Sequence, residues 1–508
     1  MTAVVAIDIG TTSAKAATYD EGGREHGVAE VGYPLAEPEP GQAVQDPGAV
    51  VQAAVEAARR TAGAAAAAGL DVAGISCSGA MHALVAVGAG DRPITPVLTW
   101  ADQRATPQAE RLRDAHPELH ARTGTPLHPM SPLAKLAWFA EHDPATAAAA
   151  RRWCGVKELV LHRLTGAWLT EPSTASGTGL LRLDTGRWDA EALALAGIGP
   201  EQLCELVPTT HTTPLTTEAA REIGLAPGTP VVAGAGDGPL ANVGVGAVQP
   251  GIAACSIGTS GALRLVVDRP AVDPHHRAFC YALTPGRWVV GGAINNGGIV
   301  LRWAGSALAP DLGPHPEAAL LELAAQAPPG SEALIMLPYL LSERAPHWSA
   351  LPRGAYVGLT RAHGRPHLVR AALEGVCQQL ALVLAGLRDA GHEVHEIRAT
   401  GGFARSALWR QMLCDALDAP LGFPRGRRGS CRGAALLGLV ALGALDDLDR
   451  AADLVTIGER LRPEPSAARV YAAMLPTFAA LYEALAPAFR TLRDLGPGPG
   501  AAPAASRP

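Results

Sequence analysis

Lysine is almost missing from this chain. Of its 42 basic residues only Lys15, Lys135 and Lys157 are lysines. Such an Arg-for-Lys, Ala-rich bias is a coding background rather than a functional signal. It gives weight to the exceptions, because a lysine kept in it marks a place that calls for a compact ammonium. An excess of one charge is lacking too: the net charge is −6, with no basic footprint for nucleic acid. No C-x-x-C pair occurs among the eight cysteines at 77, 154, 204, 255, 280, 377, 414 and 431. Most fall in apolar runs, so buried free thiols in a reducing cytoplasm are expected. No run of eighteen apolar residues and no basic-then-apolar leader is present, so a soluble cytoplasmic protein without a membrane partner is the expectation. At 508 residues the chain is too long for a single core and implies two domains plus insertions.

Val4 to Lys15, VVAIDIGTTSAK, is the stretch around which the rest is organised. A β-branched run enters Asp8 and breaks into Gly10, Thr11, Thr12 and Ser13, and the following AKAATYD still reads as extended. A hairpin tip of this kind offers N–H groups and hydroxyls to phosphate oxygens, with Lys15 close by. Asp8 at the strand end suits a hydrated Mg²⁺ beside those phosphates. The alternative is an ordinary Thr-rich hairpin with one exposed Asp.

Gln45 to Gly69 reads as a helix, with Asp46 as N-cap and Pro47 at its first position. The strand VAGISCSG then ends in Ala80, Met81 and His82, and PITPVLTW ends in Trp100, Asp102 and Arg104. Polar and aromatic side chains at strand ends are where α/β folds hold small molecules. Otherwise Met81 and Trp100 are core residues and Asp102–Arg104 a surface pair. Helices follow from Pro132 and from Lys157, then the small-residue loop EPSTASGTG and a helix at Asp189. His116 and His120 have helical spacing, but no third metal ligand follows nearby.

In residues 229–251 an apolar strand ends at Asp237 and a Gly-rich helix is expected from Pro239. The run misses G-x-G-x-x-G, and no acidic residue follows about twenty positions on, so a dinucleotide fold is excluded. Asp237 suits a general base for a substrate alcohol, or it merely caps the helix. IAACSIGTSGALRLVV then repeats the opening logic around Gly258 and Thr259. Two such hairpins predict two similarly built domains, residues 1–250 and 251–493, with a disordered tail at 494–508. In IRATGGFARSALWRQML the strand meets Gly401 and Gly402, which allow close approach to an adenine.

Together these stretches resemble the FGGY carbohydrate kinases of the actin-like ATPase superfamily. DIGTTSAK and SIGTSG are similar to the family's two phosphate motifs, TGGFARS to its adenosine motif and AGDG to its catalytic segment. MSPLAKLAWFAEH and GAYVGLTRAHGRPHLVRAALE resemble its two signatures, and SGAMHALV, TWADQR and TGTPLHPMSPLAKLAW resemble the gluconokinase branch. The resemblance implies two RNase H-like α/β domains around a cleft, binding ATP, Mg²⁺ and a small sugar acid. It implies Asp237 as base and Asp8 at the metal. Gly10, Thr11, Thr12, Ser13, Lys15, Gly258, Thr259, Gly401 and Gly402 would hold ATP. Met81, His82, Trp100, Asp102, Arg104 and Asp237 would grip the sugar. Arg104 is expected to take the carboxylate with His82 as a second donor, Arg302 being the alternative. A ketose or polyol kinase and a non-sugar actin-like ATPase are the rival readings, and a homodimer stays open. The sequence departs from the family at Glu171-Pro172, Phe403 and Arg428.

Overall fold

The structure, a computed structural model, describes residues 2–426 and 429–495. Arg428 and residues 496–508 therefore lie outside the described residues. Strand β1 (Thr2–Ile9) is buried on both faces, as its near-continuous apolar run requires. It pairs antiparallel with β2 (Ser13–Asp20), which pairs with β3 (Glu25–Gly32). On its other side β1 runs parallel to β4 (Asp71–Gly79). Two later strands, β5 (Thr212–Pro214) and β6 (Pro230–Gly236), complete a six-stranded sheet of order β5-β6-β4-β1-β2-β3.

The second sheet repeats the plan. Strands β7 (Ile252–Ile257) and β8 (Gly261–Val267) form its hairpin, flanked by β9 (Phe279–Thr284) and β10 (Arg287–Ile294). β7 runs parallel to β11 (Glu396–Gly401), followed by β12 (Leu421–Pro424) and β13 (Ile457–Leu461). The order is β9-β10-β8-β7-β11-β12-β13. In both sheets an antiparallel hairpin leads into parallel strands, so both hairpin tips emerge at strand ends where ligands bind.

The helices that position the site are α1 (Pro47–Ala67), α2 (Pro132–His142), α3 (Val156–Thr165), α4 (Pro172–Ser176), α5 (Asp237–Gly244) and α6 (Gly298–Leu308). After them come α7 (Arg365–Asp389), α8 (Ala407–Leu417), α9 (Gly429–Ala441) and α10 (Pro465–Leu495). Asp46 caps α1 by accepting from Ala49 N–H at 2.7 Å, with Pro47 at the first helical position. The packing crosses the boundary expected near residue 250. Helix α9 lies on the first sheet, where the Cys431 thiol reaches the Ala6 carbonyl. It also crosses α5 at backbone contact: a Cβ on Gly244 would sit 1.7 Å from the Gly429 carbonyl oxygen, and one on Gly433 1.9 Å from that of Leu240.

Four expectations are corrected. Residues 172–176 are a one-turn helix rather than loop, because the Glu171 carboxylate caps Ser173 and Thr174 N–H. Helix α5 begins at Asp237, not at Pro239. The strand expected over 93–100 shrinks to Val97–Leu98 outside both main sheets, since Pro93 and Pro96 cannot donate to a ladder. Residues 494–495 belong to α10, not to a tail. All eight cysteines are buried and none is in a disulfide. Helices α7 and α10 have the length and apolar content of a membrane span, with 83% and 17% of their most apolar windows buried inside the protein.

Candidate active site

The two hairpin tips face one cleft of about 540 Å³, lined from the first sheet's side by Thr11, Lys15, Met81, His82, Trp100 and Asp237. The second sheet's side contributes Gly258, Ser260, Arg264, Tyr281, Arg344 and Gly401. Asp8 ends β1, where the Ser78 hydroxyl donates to its carboxylate at 2.8 Å. Burial pushes its carboxyl up to about 6, the Asp237 charge adds to this, and Ser78 and Lys15 oppose it. Asp237 stands at the first residue of α5 with its Oδ1 accepting from Gly238 N–H at 2.7 Å. Its carboxyl is also raised by burial, against the pull of Arg264, the Gly238 and Met81 N–H groups, and Arg344. It does not cap the helix; Gly236 holds that position.

At the first tip Gly10 N–H bonds Ser13 C=O at 3.0 Å and closes the turn, leaving Thr12 exposed. The Ser13 hydroxyl is committed to Glu30 at 2.7 Å, so Ser13 offers only backbone to a phosphate. Lys15 lies across from Asp8 in the β1–β2 ladder and pairs loosely with Glu30 at 3.6 Å. At the second tip the carbonyls of Gly258 and Thr259 are taken by N–H groups of Gly297, Gly298 and Ile299 at the start of α6. The Gly258 N–H closes the turn on Ser260 C=O at 2.8 Å, and the tip stands against the start of α6, where the helix dipole favours anions. Gly401 (φ 115°) adjoins that tip through the β7–β11 ladder; a Cβ there would meet the Ile257 carbonyl oxygen at 2.2 Å, so only glycine fits. Gly402 is exposed beside it.

The sugar-side residues divide. Met81 and His82 line the cleft, and His82 holds a left-handed backbone (φ 66°) that side chains rarely adopt. Three contacts keep it there. Lys135 Nζ donates to the His82 carbonyl at 2.6 Å and to Thr99 C=O at 2.7 Å. His82 Nδ1 meets the Gly177 carbonyl at 2.7 Å. A carbonyl only accepts, so Nδ1 carries the proton and Nε2 presents a lone pair, 3.4 Å from the Tyr281 hydroxyl. Burial pushes His82 down to about 3, so it is neutral and accepts hydroxyls; it is not a donor to a carboxylate. Trp100 donates from Nε1 to the Thr11 hydroxyl at 2.9 Å and carries the Arg344 guanidinium on its ring at 4.6 Å.

Asp102 and Arg104 are not brought to the cleft. Asp102 is fully buried and takes Arg104 Nε at 2.8 Å and Nη2 at 2.9 Å, as well as Ala43 N–H at 2.9 Å. The Arg104 guanidinium lies over the Trp138 ring at 5.1 Å. A bidentate pair two residues apart satisfies itself and ties down the 41–43 loop, leaving neither charge for a substrate. Arg302 is exposed on α6 and lines no part of the cleft. His120 Nε2 meets the Ala278 carbonyl at 2.9 Å.

A sequence model of the FGGY family of carbohydrate kinases, N-terminal domain, matches residues 3–244, and its C-terminal-domain counterpart matches residues 253–442. The chain belongs to the FGGY family of carbohydrate kinases. A gluconokinase of Bacillus subtilis (strain 168) is 40% identical over 506 residues, covering 97% of this chain and 98% of the relative. A xylulose kinase of Escherichia coli (strain K12) is 30% identical over 489 residues, covering 95% and 99%. Among solved structures, gluconate kinase from Lactobacillus acidophilus superposes with a TM-score of 0.91 at 34% identity, covering 97% of this chain and 99% of that one.

Several residues that shape this FGGY cleft escaped the sequence reading. Lys135 bonds the carbonyls of His82 and Thr99 yet sits in an ordinary amphipathic helix; its signals are the scarcity of lysine and its place in the MSPLAKLAWFAEH stretch. Arg264 alternates with leucines on β8 and so reads as solvent-facing, whereas that face of the second sheet is the cleft wall. Ser430, whose hydroxyl donates to the Asp237 carbonyl at 3.1 Å, stands at the start of α9, a stretch for which no helix is expected from the sequence.

Proposed function

We propose that this chain transfers the γ-phosphoryl group of ATP to the terminal hydroxyl of gluconate, giving 6-phosphogluconate. The observation that carries this reading is one carboxylate, Asp237, in the cleft that two Gly/Thr hairpin tips face, in a chain so closely related to gluconokinases. Phosphoryl transfer needs positioning and charge neutralisation more than covalent work by the protein. Asp237 accepts the proton of the attacking hydroxyl, and its raised carboxyl makes it a better base than an exposed aspartate. Thr11, Thr12 and Lys15 at one tip and Gly258 and Thr259 at the other hold phosphate oxygens, while Gly401 and Gly402 give room for the adenosine. Met81, His82 and Trp100 seat the sugar chain, with His82 accepting a hydroxyl.

The oxygen donors of Asp8, near the Asp237 charge and opposed only by Ser78 and Lys15, fit a hydrated Mg²⁺. Bound there with ATP, the ion would neutralise charge on the β- and γ-phosphates.

A ketose kinase is the second reading, favoured by the xylulose kinase from Lactobacillus acidophilus, which superposes with a TM-score of 0.92 at 34% identity. An ADP-release assay across gluconate, xylulose, ribulose, glycerol and related polyols separates them. Gluconate is expected to give the highest kcat/KM. A preference for xylulose overturns gluconate while keeping a kinase, and ADP release that ignores every acceptor overturns the sugar kinase.

A further inference from the structure

With Arg104 tied to Asp102 and His82 neutral, neither residue expected to meet an acid group is able to. The cleft nonetheless carries an excess of positive charge. Its charged lining residues are Lys15, Asp237, Arg264 and Arg344, and with Asp8 at the end of β1 the site holds three cations against two carboxylates. Lys15 belongs to the first hairpin and faces Glu30. Arg264 and Arg344 lie elsewhere, on the second sheet's side.

Arg264 is on β8, four residues beyond Ser260, roughly 13 Å of strand from the tip. Its Nε and Nη2 lie 3.5 and 3.8 Å from the point a Cβ on Gly238 would occupy, beside Asp237. Among the described residues its guanidinium has no hydrogen bond or ion pair. Arg344 reaches the same cleft from the loop after Glu343. Its Nη2 donates to Ile294 C=O at 3.2 Å, its face lies on Trp100, and its Nε is buried with no partner. Burial lowers Arg344 to about 10, with Glu343 opposing the shift and the nearby Arg264 charge adding to it.

Asp237 faces both guanidinia and Glu343 faces Arg344, yet among the described residues no hydrogen bond takes the Arg264 fork and the Arg344 Nε has no partner, so the pair keeps forked donors for a further anion. Tyr281 and His82 complete the wall as neutral groups suited to hydroxyls. We propose that Arg264 and Arg344 form an anion subsite that takes the carboxylate of the acceptor. This rests on the gluconate reading above and names the residues that make the enzyme prefer an acid. A forked donor facing a planar carboxylate also explains why arginine, not lysine, suits both places.

The test compares gluconate with gluconamide, its neutral counterpart of nearly the same shape, in Arg264→Gln, Arg344→Gln and the corresponding Lys variants. Losing one charge-assisted contact is expected to raise KM for gluconate roughly ten- to hundredfold. KM for gluconamide and for ATP should change little, and the Lys variants should recover part of the loss. Tight ADP binding by each variant verifies that it is folded; a Gln variant that fails this is replaced by its Lys variant, where the acid-to-amide ratio is read instead. Equal losses for acid and amide in a wild type that prefers gluconate overturn the subsite and leave the proposed function standing. A drop in kcat for both acceptors with KM unchanged also overturns it, because the arginines then serve the transferred phosphoryl group. A wild type that prefers a neutral ketose overturns the gluconate reading and the subsite with it.

Discussion

Lys157 Nζ meets the Glu171 carboxylate at 3.1 Å, and both side chains are sealed from solvent. The lysine also donates to Ala233 C=O at 3.0 Å, just upstream of Asp237. Glu171 caps α4, whose Ser173 hydroxyl accepts Gly236 N–H at 3.2 Å and whose Ser176 hydroxyl accepts Ala282 N–H at 3.0 Å. The pair thus ties the segment ending in the base to both sheets. Removing one partner leaves a buried charge without compensation. Lys157→Met is expected to lose about 3–5 kcal/mol in urea unfolding, whereas Lys157→Met combined with Glu171→Gln recovers a large part. A single variant as stable as the wild type would show that water reaches the pair.

Asp237→Asn keeps the shape of the side chain but cannot take a proton. A fall in kcat of about two orders of magnitude or more is expected, with ADP affinity within a few-fold of wild type. Turnover near the wild-type level would remove Asp237 from the chemistry.

Arg104→Gln tests the correction made at the strand end. Because Arg104 bonds Asp102 and covers Trp138, its loss should lower stability by about 3–5 kcal/mol, as for any broken buried pair. KM for gluconate and gluconamide should move together. A selective loss for the acid would return Arg104 to the substrate.

Buried histidines set the acid limit of the fold. Desolvation pushes His120 down to about 4 and His347 to about 3, from an ordinary 6.5. As the pH falls below 6.5 the unfolded chain takes up these protons first. The contribution is complete above that value and is lost as the pH falls toward 4, at about 1.4 kcal/mol per pH unit for each residue. Urea midpoints should therefore drop between pH 7 and 5, and less steeply in His120→Gln. An identical pH slope in that variant would mean His120 is protonated inside the protein.

The two hairpins, the strand that leads to His82, and Asp237 were legible because local pattern and burial agree there: apolar runs stop at small or polar residues. What could not be read were interactions between distant positions or within a pair. Nothing in W-A-D-Q-R says that Asp102 consumes Arg104, since the geometry that closes the pair comes from the 41–43 loop. Arg344 stands in a loop without periodicity, and its contact with Trp100 joins residues far apart in sequence. Helix α4 reads as loop because one turn of small residues has no period, and only its glutamate cap signals the helix.

Helix α9 covers the first sheet, and its Cys431 touches a strand residue 425 positions earlier. On the ribosome that sheet is complete once β6 has emerged, yet its face stays bare until residue 441 follows. At 5–20 residues per second, the roughly 200 intervening residues take about 10–40 s. For that interval a finished sheet waits with an uncovered apolar flank, the surface a nascent-chain holdase would shield. The first 250 residues made alone would keep that flank bare permanently, so this enzyme is not divisible at the point where its sequence repeats.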